Sequence, residues 1–298
     1  MFDAHFHLDF FSEQDIPNVV GAAQLEGIEG GVIAGVWTTD AQKLTQWARL
    51  VTSSQNSRST LEFVRKGDFQ KRSKNKFSLF ATIGLHPWYQ NSHWTNSDGS
   101  LNTAAMDHDF KLFENIVEEN RDFVWAIGET GFDLFQTAGN EKKRKYDMQS
   151  VAFDFCIDLA AQKNLPLIVH TRNAWNVTLD RLFSKSRTTP ALIHCYGGPA
   201  ESFAAIASKN IFASFGGPTT WKKSEKLRSV VKRCPPEILM LETDAPDLPP
   251  EINGVRPPRN EPRMLAEIAK QVAAIRDVSI ENICQQSDTN LFRWLGCE

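Results

Sequence analysis

The run Leu165-Pro166-Leu167-Ile168-Val169-His170 decides the fold. A half-buried strand alternates apolar and polar residues; an unbroken apolar run fits a strand buried on both faces, the kind found in parallel sheets. Before it lies a helical pattern over Glu141–Lys163, and after it a second over Ala174–Phe183, followed by another apolar run that again ends in histidine, Ala191–His194. Strand, helix and strand in succession make a βαβ unit.

The alternation extends to both ends of the chain. Strands are expected at Phe2–His7, Gly31–Trp37, Phe77–Gly84, Phe123–Glu129, Leu165–His170, Ala191–His194, Ile211–Phe215 and Ile238–Glu242. Helical patterns fall at Ala41–Thr52, Asp107–Glu119, Ala200–Asn210, Lys222–Lys232 and Pro262–Arg276, the last with proline in its first turn. Eight strands with interleaved helices predict an α/β protein of the closed (β/α)8 TIM-barrel type. A chain of 298 residues fits one barrel, so residues 1–298 are read as a single domain. Three stretches break the pattern. Ser53–Lys76 is polar and basic, with seven Lys or Arg between Arg58 and Lys76, and is read as an insertion. Gln90–Thr103 is expected to be a long loop, and Pro246–Pro262 an extended cover over one barrel end.

Composition excludes several classes. There are 33 Lys and Arg against 36 Asp and Glu, a net charge of −3, so the protein does not hold polyanions by bulk charge. No apolar run approaches the length of a membrane span, and the N-terminus has no signal-peptide pattern. The five cysteines form no CxxC pair, which points to a reducing, cytoplasmic setting. No obligate protein partner is expected.

Histidine placement carries the chemistry. Of seven histidines, His5, His7, His86, His170 and His194 stand at or just after strand C-termini, the end of a barrel where active sites form; only His93 and His108 lie elsewhere. His5 and His7 are two apart in a strand, so both imidazoles point to one face and supply half of a divalent-metal shell. Asp3 and Asp9 extend the same alternation and are candidates to orient a ring. Glu129, in Gly128-Glu129-Thr130-Gly131, closes an apolar strand; a carboxylate buried there needs a cation, and its two oxygens can bridge two metals. Gly128 and Gly131 would let loop backbone approach a ligand. Asp244, in Leu241-Glu242-Thr243-Asp244, is a candidate both to touch a metal and to take a proton from water; Glu242 shares its face, and spacing does not choose between them. Four imidazoles (His5, His7, His170, His194) and two carboxylates (Glu129, Asp244) exceed the needs of one tetrahedral ion and suit a two-metal hydrolytic site. Arg172, two residues past His170, is a candidate to grip a substrate phosphate, and Trp88 and Tyr89 to stack a base. Cys195 lacks a base of its own, and Lys142-Lys143-Arg144-Lys145 reads as a solvated helix face.

The strings DAHFHLD, IGLHPW, IGETGFD, IVHTR, IHCYGG and LETDAP, in this order over nearly the whole chain, resemble the TatD-type metal-dependent deoxyribonucleases, a branch of the amidohydrolase superfamily. The resemblance includes a helical tail, Ser279–Leu295. Thr130 stands where isoleucine is usual, His194 is followed by Cys-Tyr rather than Ser/Cys-Phe, and the basic insertion is longer than the family pattern; none of these removes a ligand. The resemblance implies a (β/α) barrel and 3′–5′ exonuclease activity on DNA phosphodiesters using a metal-activated water. It implies His5, His7, Glu129, His170, His194 and Asp244 as metal-site residues, Glu129 and Asp244 as catalytic carboxylates, and His86 as a further active-site residue touching phosphate or an additional metal. The implied cofactors are two divalent ions, Mg²⁺ or Mn²⁺ with Zn²⁺ as a further candidate, and the implied partner is single-stranded DNA or 3′ ends. The alternative is a small-molecule hydrolase, acting on an ester, amide or phosphoester at the same two-metal site.

Overall fold

A computed structural model describes residues 1–39, 43, 46, 61–184 and 189–297. The helical pattern expected at Ala41–Thr52 and the first part of the basic stretch, Ser53–Thr60, lie outside the described residues, apart from Lys43 and Gln46.

All described strands are parallel and belong to one sheet. Strands β1 (Phe2–Phe6), β2 (Gly30–Ile33), β4 (Phe77–Ile83), β5 (Val124–Asp133), β6 (Leu167–Arg172), β7 (Ala191–Ile193), β8 (Ile211–Phe215) and β9 (Leu239–Leu241) follow one another around the sheet. The additional strand β3 (Leu61–Phe63) pairs with the first half of β4. The eight strands of the barrel are buried along their length, except that β6 reaches the surface at its C-terminal end; the additional strand β3 is only partly buried. Helices cover the outer faces, which is why the strands read as apolar runs. The edges meet at β9 and β1, joined beyond the strands themselves: Asp244 N–H donates to His5 O (2.9 Å), His7 N–H to Ala245 O (2.7 Å) and Thr243 N–H to Asp3 Oδ1 (2.9 Å). The result is the expected TIM barrel of eight strands, to which β3 adds a short ninth.

Several sequence expectations are corrected. Strand β5 runs through Glu129 to Asp133 rather than closing at Glu129. A helix at Pro87–Trp94 replaces the first part of the loop expected from Gln90. It has proline in its first turn and is held by the Gln90 amide donating to Leu85 O and by fully buried Trp94, whose indole donates to Asp109 Oδ2 (2.8 Å). The following helix starts at Thr103, four residues early, because Asn102 caps it through Ala105 N–H. Gly128 and Gly131, both at φ +138°, are required by a neighbouring strand and not by a ligand: a Cβ would stand 2.5 Å from Ile168 O and 2.1 Å from His170 O. In the described part of the basic stretch, Lys66 N–H bonds Asp122 O just before β5, and Arg72 lies over the rings of Phe2, Phe69 and Phe292. That places it at the strand N-termini, the opposite end from the histidines. Among the described residues no helix is long and apolar enough to cross a membrane.

Candidate active site

The barrel mouth gathers five imidazoles around Glu129. Its Oε2 lies 3.5 Å from His5 Nε2 and 3.6 Å from His7 Nε2. Its Oε1 lies 2.7 Å from His170 Nδ1, 2.8 Å from His194 Nε2 and 3.2 Å from His86 Nε2. One carboxylate thus divides its oxygens between two groups of nitrogen donors. Asp244 Oδ1 joins the first group, 3.5 Å from His5 Nε2 and 3.6 Å from His7 Nε2. Every expected metal-site residue is therefore brought into one cluster, and all but His170 and Asp244, which are slightly exposed, are buried.

The donor set fits divalent ions. Separations of 3.5–3.6 Å are long for hydrogen bonds, yet two atoms each about 2.1 Å from one ion stand roughly 3–3.5 Å apart. Both ring nitrogens of His5 are buried without a hydrogen-bond partner, a costly state that a bound cation relieves. Among the described residues, His5–His194–Asp244, His5–His7–Glu129 and His86–Glu129–His170 each bring their donor atoms within 4.8 Å of one another.

Neighbouring groups fix the rings. His7 Nδ1 meets Ala34 O at 3.1 Å, so this nitrogen donates and Nε2 keeps its lone pair for the cluster. His170 Nε2 meets Asp133 Oδ2 at 3.2 Å, leaving Nδ1 free to face Glu129. Asp133 is itself held by the Trp88 indole N–H (2.5 Å) and the Phe135 backbone N–H (2.9 Å). His86 differs. Its Nδ1 accepts the Trp88 backbone N–H (3.1 Å), so in the neutral ring the proton sits on Nε2, which points at Glu129 as a donor. Of the two roles expected for His86, this geometry favours hydrogen bonding over metal ligation.

Electrostatics follow the same division. Burial alone would push the Glu129 and Asp244 carboxyls up. The charges of His194 and His86 and hydrogen bonds from His170 and His194 hold Glu129 well below its ordinary range, and His5 and His7 do the same for Asp244. Burial disfavours protonated His170, but hydrogen bonds to Asp133 and Glu129 outweigh it and raise the ring to about 9. Burial dominates at His86, which is lowered, and at His194, lowered to about 4.

Hydrogen bonding distinguishes Glu242 from Asp244. Glu242 Oε1 accepts Cys195 N–H (2.6 Å) and Oε2 accepts Ser214 Oγ–H (2.5 Å), and burial pushes its carboxyl up to about 8. Both oxygens are engaged in bracing β7 and β8 against β9. Glu242→Ala should strand two buried donors and cost about 2–4 kcal/mol in urea unfolding, with ion content unchanged. Lost ions at unaltered stability would reverse that assignment. Asp3, expected to orient a ring, instead accepts from His5 N–H, Thr243 N–H and Thr243 Oγ, and so fastens β1 to the chain after β9. Asp9 lies in a single 3-10 turn beyond the strand. Burial and the charge of Glu242 push the Cys195 thiol well above its ordinary range, which keeps it protonated near neutral pH.

Sequence reasoning did not single out Asp133. Its signal was present: in an extended strand Glu129, Gly131 and Asp133 share a face. Asp133→Asn should weaken ion binding about 10–100-fold through a misoriented His170. An unchanged ion affinity in calorimetry would deny it that positioning role.

Known proteins resemble this chain over its full length. The family described as TatD related DNase matches residues 2–296. A Bacillus subtilis protein named as an uncharacterized metal-dependent hydrolase, YabD, is 29% identical over 297 residues, covering 98% of each chain. A Pantoea ananatis protein named 3′-5′ ssDNA/RNA exonuclease TatD is 30% identical over 308 residues, covering 99% of each. The solved structure of YjjV, a TatD homologue from Escherichia coli K12, shares the fold with a TM-score of 0.76 at 22% identity, over 99% of this chain and 97% of that one.

Proposed function

Because the chain belongs to the TatD related DNase family of metal-dependent hydrolases, we propose that it is a deoxyribonuclease that shortens single-stranded DNA from its 3′ end. The ion ligands in this reading are His5, His7, Glu129, His170, His194 and Asp244, and the ions are two Mg²⁺ or Mn²⁺, with Zn²⁺ as a further candidate. The observation that carries the reading is the division of the Glu129 oxygens between His5 and His7 on one side and His170 and His194 on the other. A single carboxylate so placed can serve two ions at once.

Bound there, divalent ions lower the pKa of an attacking water and neutralise charge on a phosphodiester. The chain's own residues do the rest. Asp244 keeps its carboxylate ionised and accepts the proton of the attacking water through a carboxylate oxygen. Glu129 supplies negative charge to both halves of the cluster. His86 stays neutral and offers Nε2–H, a donor suited to a phosphate oxygen entering beside Glu129. Asp133 keeps His170 turned with Nδ1 inward.

Ion uptake should release protons. His170 is raised to about 9, so its ring is protonated at pH 7 in the ion-free protein, whereas a ligand ring must be neutral. Affinity should therefore rise with pH up to about 9, and calorimetry in buffers of different ionisation heat should register proton release. Buffer-independent heats would contradict this ligand set. The activity itself is tested on a panel of single-stranded DNA, RNA and small phosphoesters, lactones and amides, each with an EDTA control. Turnover of DNA that EDTA abolishes is expected; turnover of small esters alone would overturn the nuclease reading.

A further inference from the structure

Beside the ion cluster, on the far side of Asp133, lies a second cavity of about 340 Å³, lined among others by Trp88, Asp133, Phe135, Lys145, Gln149 and Arg172. We propose that it is a nucleotide subsite, which holds the nucleotide adjoining the scissile phosphodiester, with the base stacked on Trp88 and its phosphate gripped by Arg172 and Lys145. This rests on the nucleic-acid reading above and adds where the neighbouring nucleotide is bound.

Four observations carry it. The first is position: Asp133 Oδ2 touches both His170 Nε2 (3.2 Å) and the Trp88 indole (2.5 Å), so one side chain separates the cavity from the cluster. The second is an uncompensated cation. The Arg172 guanidinium lies over the Phe135 ring, 3.7 Å from its centroid, and among the described residues no carboxylate is within salt-bridge distance of it. Stacking fixes the plane of the guanidinium while leaving its N–H edge open, the arrangement that grips phosphate bidentately. The third is Trp88, 57% exposed yet anchored through its indole N–H. A large aromatic face held rigidly in the open is what base stacking requires. Tyr89, by contrast, is half-buried, with its ring 5.9 Å from that of His86 and 6.5 Å from that of Trp37, and is not a stacking surface.

The fourth is a second cation from a different element. Lys145 reaches the cavity from the helix Gly139–Lys163, tethered to Glu141 at 3.1 Å. The basic run Lys142–Lys145 is therefore not one uniform solvated face: Lys142 and Lys143 are exposed, Arg144 bonds Gly99 O, and Lys145 lines the cavity. The volume lies within the range of small-ligand sites and suits one nucleotide.

The test is binding of the full chain, loaded with Mn²⁺, to a fluorescent thymidine decamer with phosphorothioate linkages that resist cleavage, followed by anisotropy over a range of salt. Trp88→Ala should weaken binding about 10-fold, and Trp88→Phe should recover part of that loss, because a six-membered aromatic face is kept while the rest of the indole and its N–H bond to Asp133 are lost. Arg172→Gln should flatten the plot of log affinity against log salt by about 0.7. Lys142→Gln, on the exposed helix face, should leave that slope as in the wild type. Binding in which Trp88→Phe is as weak as Trp88→Ala, or in which Arg172→Gln keeps the full slope, overturns the subsite and leaves the nuclease reading standing. A wild-type protein that neither binds the decamer nor cleaves an ordinary one overturns both.

Discussion

Asp244→Asn is expected to lower kcat on single-stranded DNA by about 10³-fold, with an unaltered circular dichroism spectrum. The substitution is nearly isosteric, so the backbone bond from Asp244 N–H to His5 O that helps close the barrel is kept. What it removes is a buried negative charge 3.5 Å from His5 Nε2 and 3.6 Å from His7 Nε2, and the only proton acceptor assigned to the attacking water. Loss of a positioned general base alone accounts for about 10²–10⁴-fold. Steady-state kinetics on purified protein check it; undiminished turnover would remove Asp244 from the mechanism.

Glu129→Gln should have a larger effect and a different signature. The amide still fills the same space in β5, but one of its two ends is now a donor, facing either His5 and His7 or His170 and His194. Neither arrangement supplies an oxygen to both groups, and the four surrounding imidazoles lose a shared counter-charge. Bound Mn²⁺ measured by elemental analysis should fall from two ions per chain to one or none, with turnover lost beyond the Asp244→Asn level. Two ions retained at full occupancy would contradict the bridging role.

How far the site was legible in the sequence depended on whether a property was local. Apolar runs ending in histidine, such as Leu165–His170 and Ala191–His194, revealed both strand and site because burial on two faces and a polar strand end are local patterns. The pair His5 and His7 was legible through the two-residue period of a strand. Glu242 against Asp244 was not, since the same period places both on one face; the choice depends on Cys195 and Ser214, distant in sequence but adjacent across the sheet. The proton position on His86 and the orientation of His170 by Asp133 depend likewise on contacts between elements. The helix at Pro87–Trp94 was missed within a polar stretch because its stability comes from burying Gln90 and Trp94, which composition does not reveal. The described residues of the basic stretch sit at the far end of the barrel, where Arg72 packs on aromatic rings. The cations that meet substrate in this account are the bound ions, Arg172 and Lys145.

The central claim is that this chain, with divalent ions held around Glu129, would shorten DNA from a 3′ end. A time course on a 5′-labelled single-stranded oligonucleotide, incubated with the Mn²⁺-loaded protein and resolved on a sequencing gel, tests it most directly. The account predicts a ladder that shortens progressively from the 3′ end and vanishes with EDTA. Full-length oligonucleotide persisting in the presence of metal would contradict it.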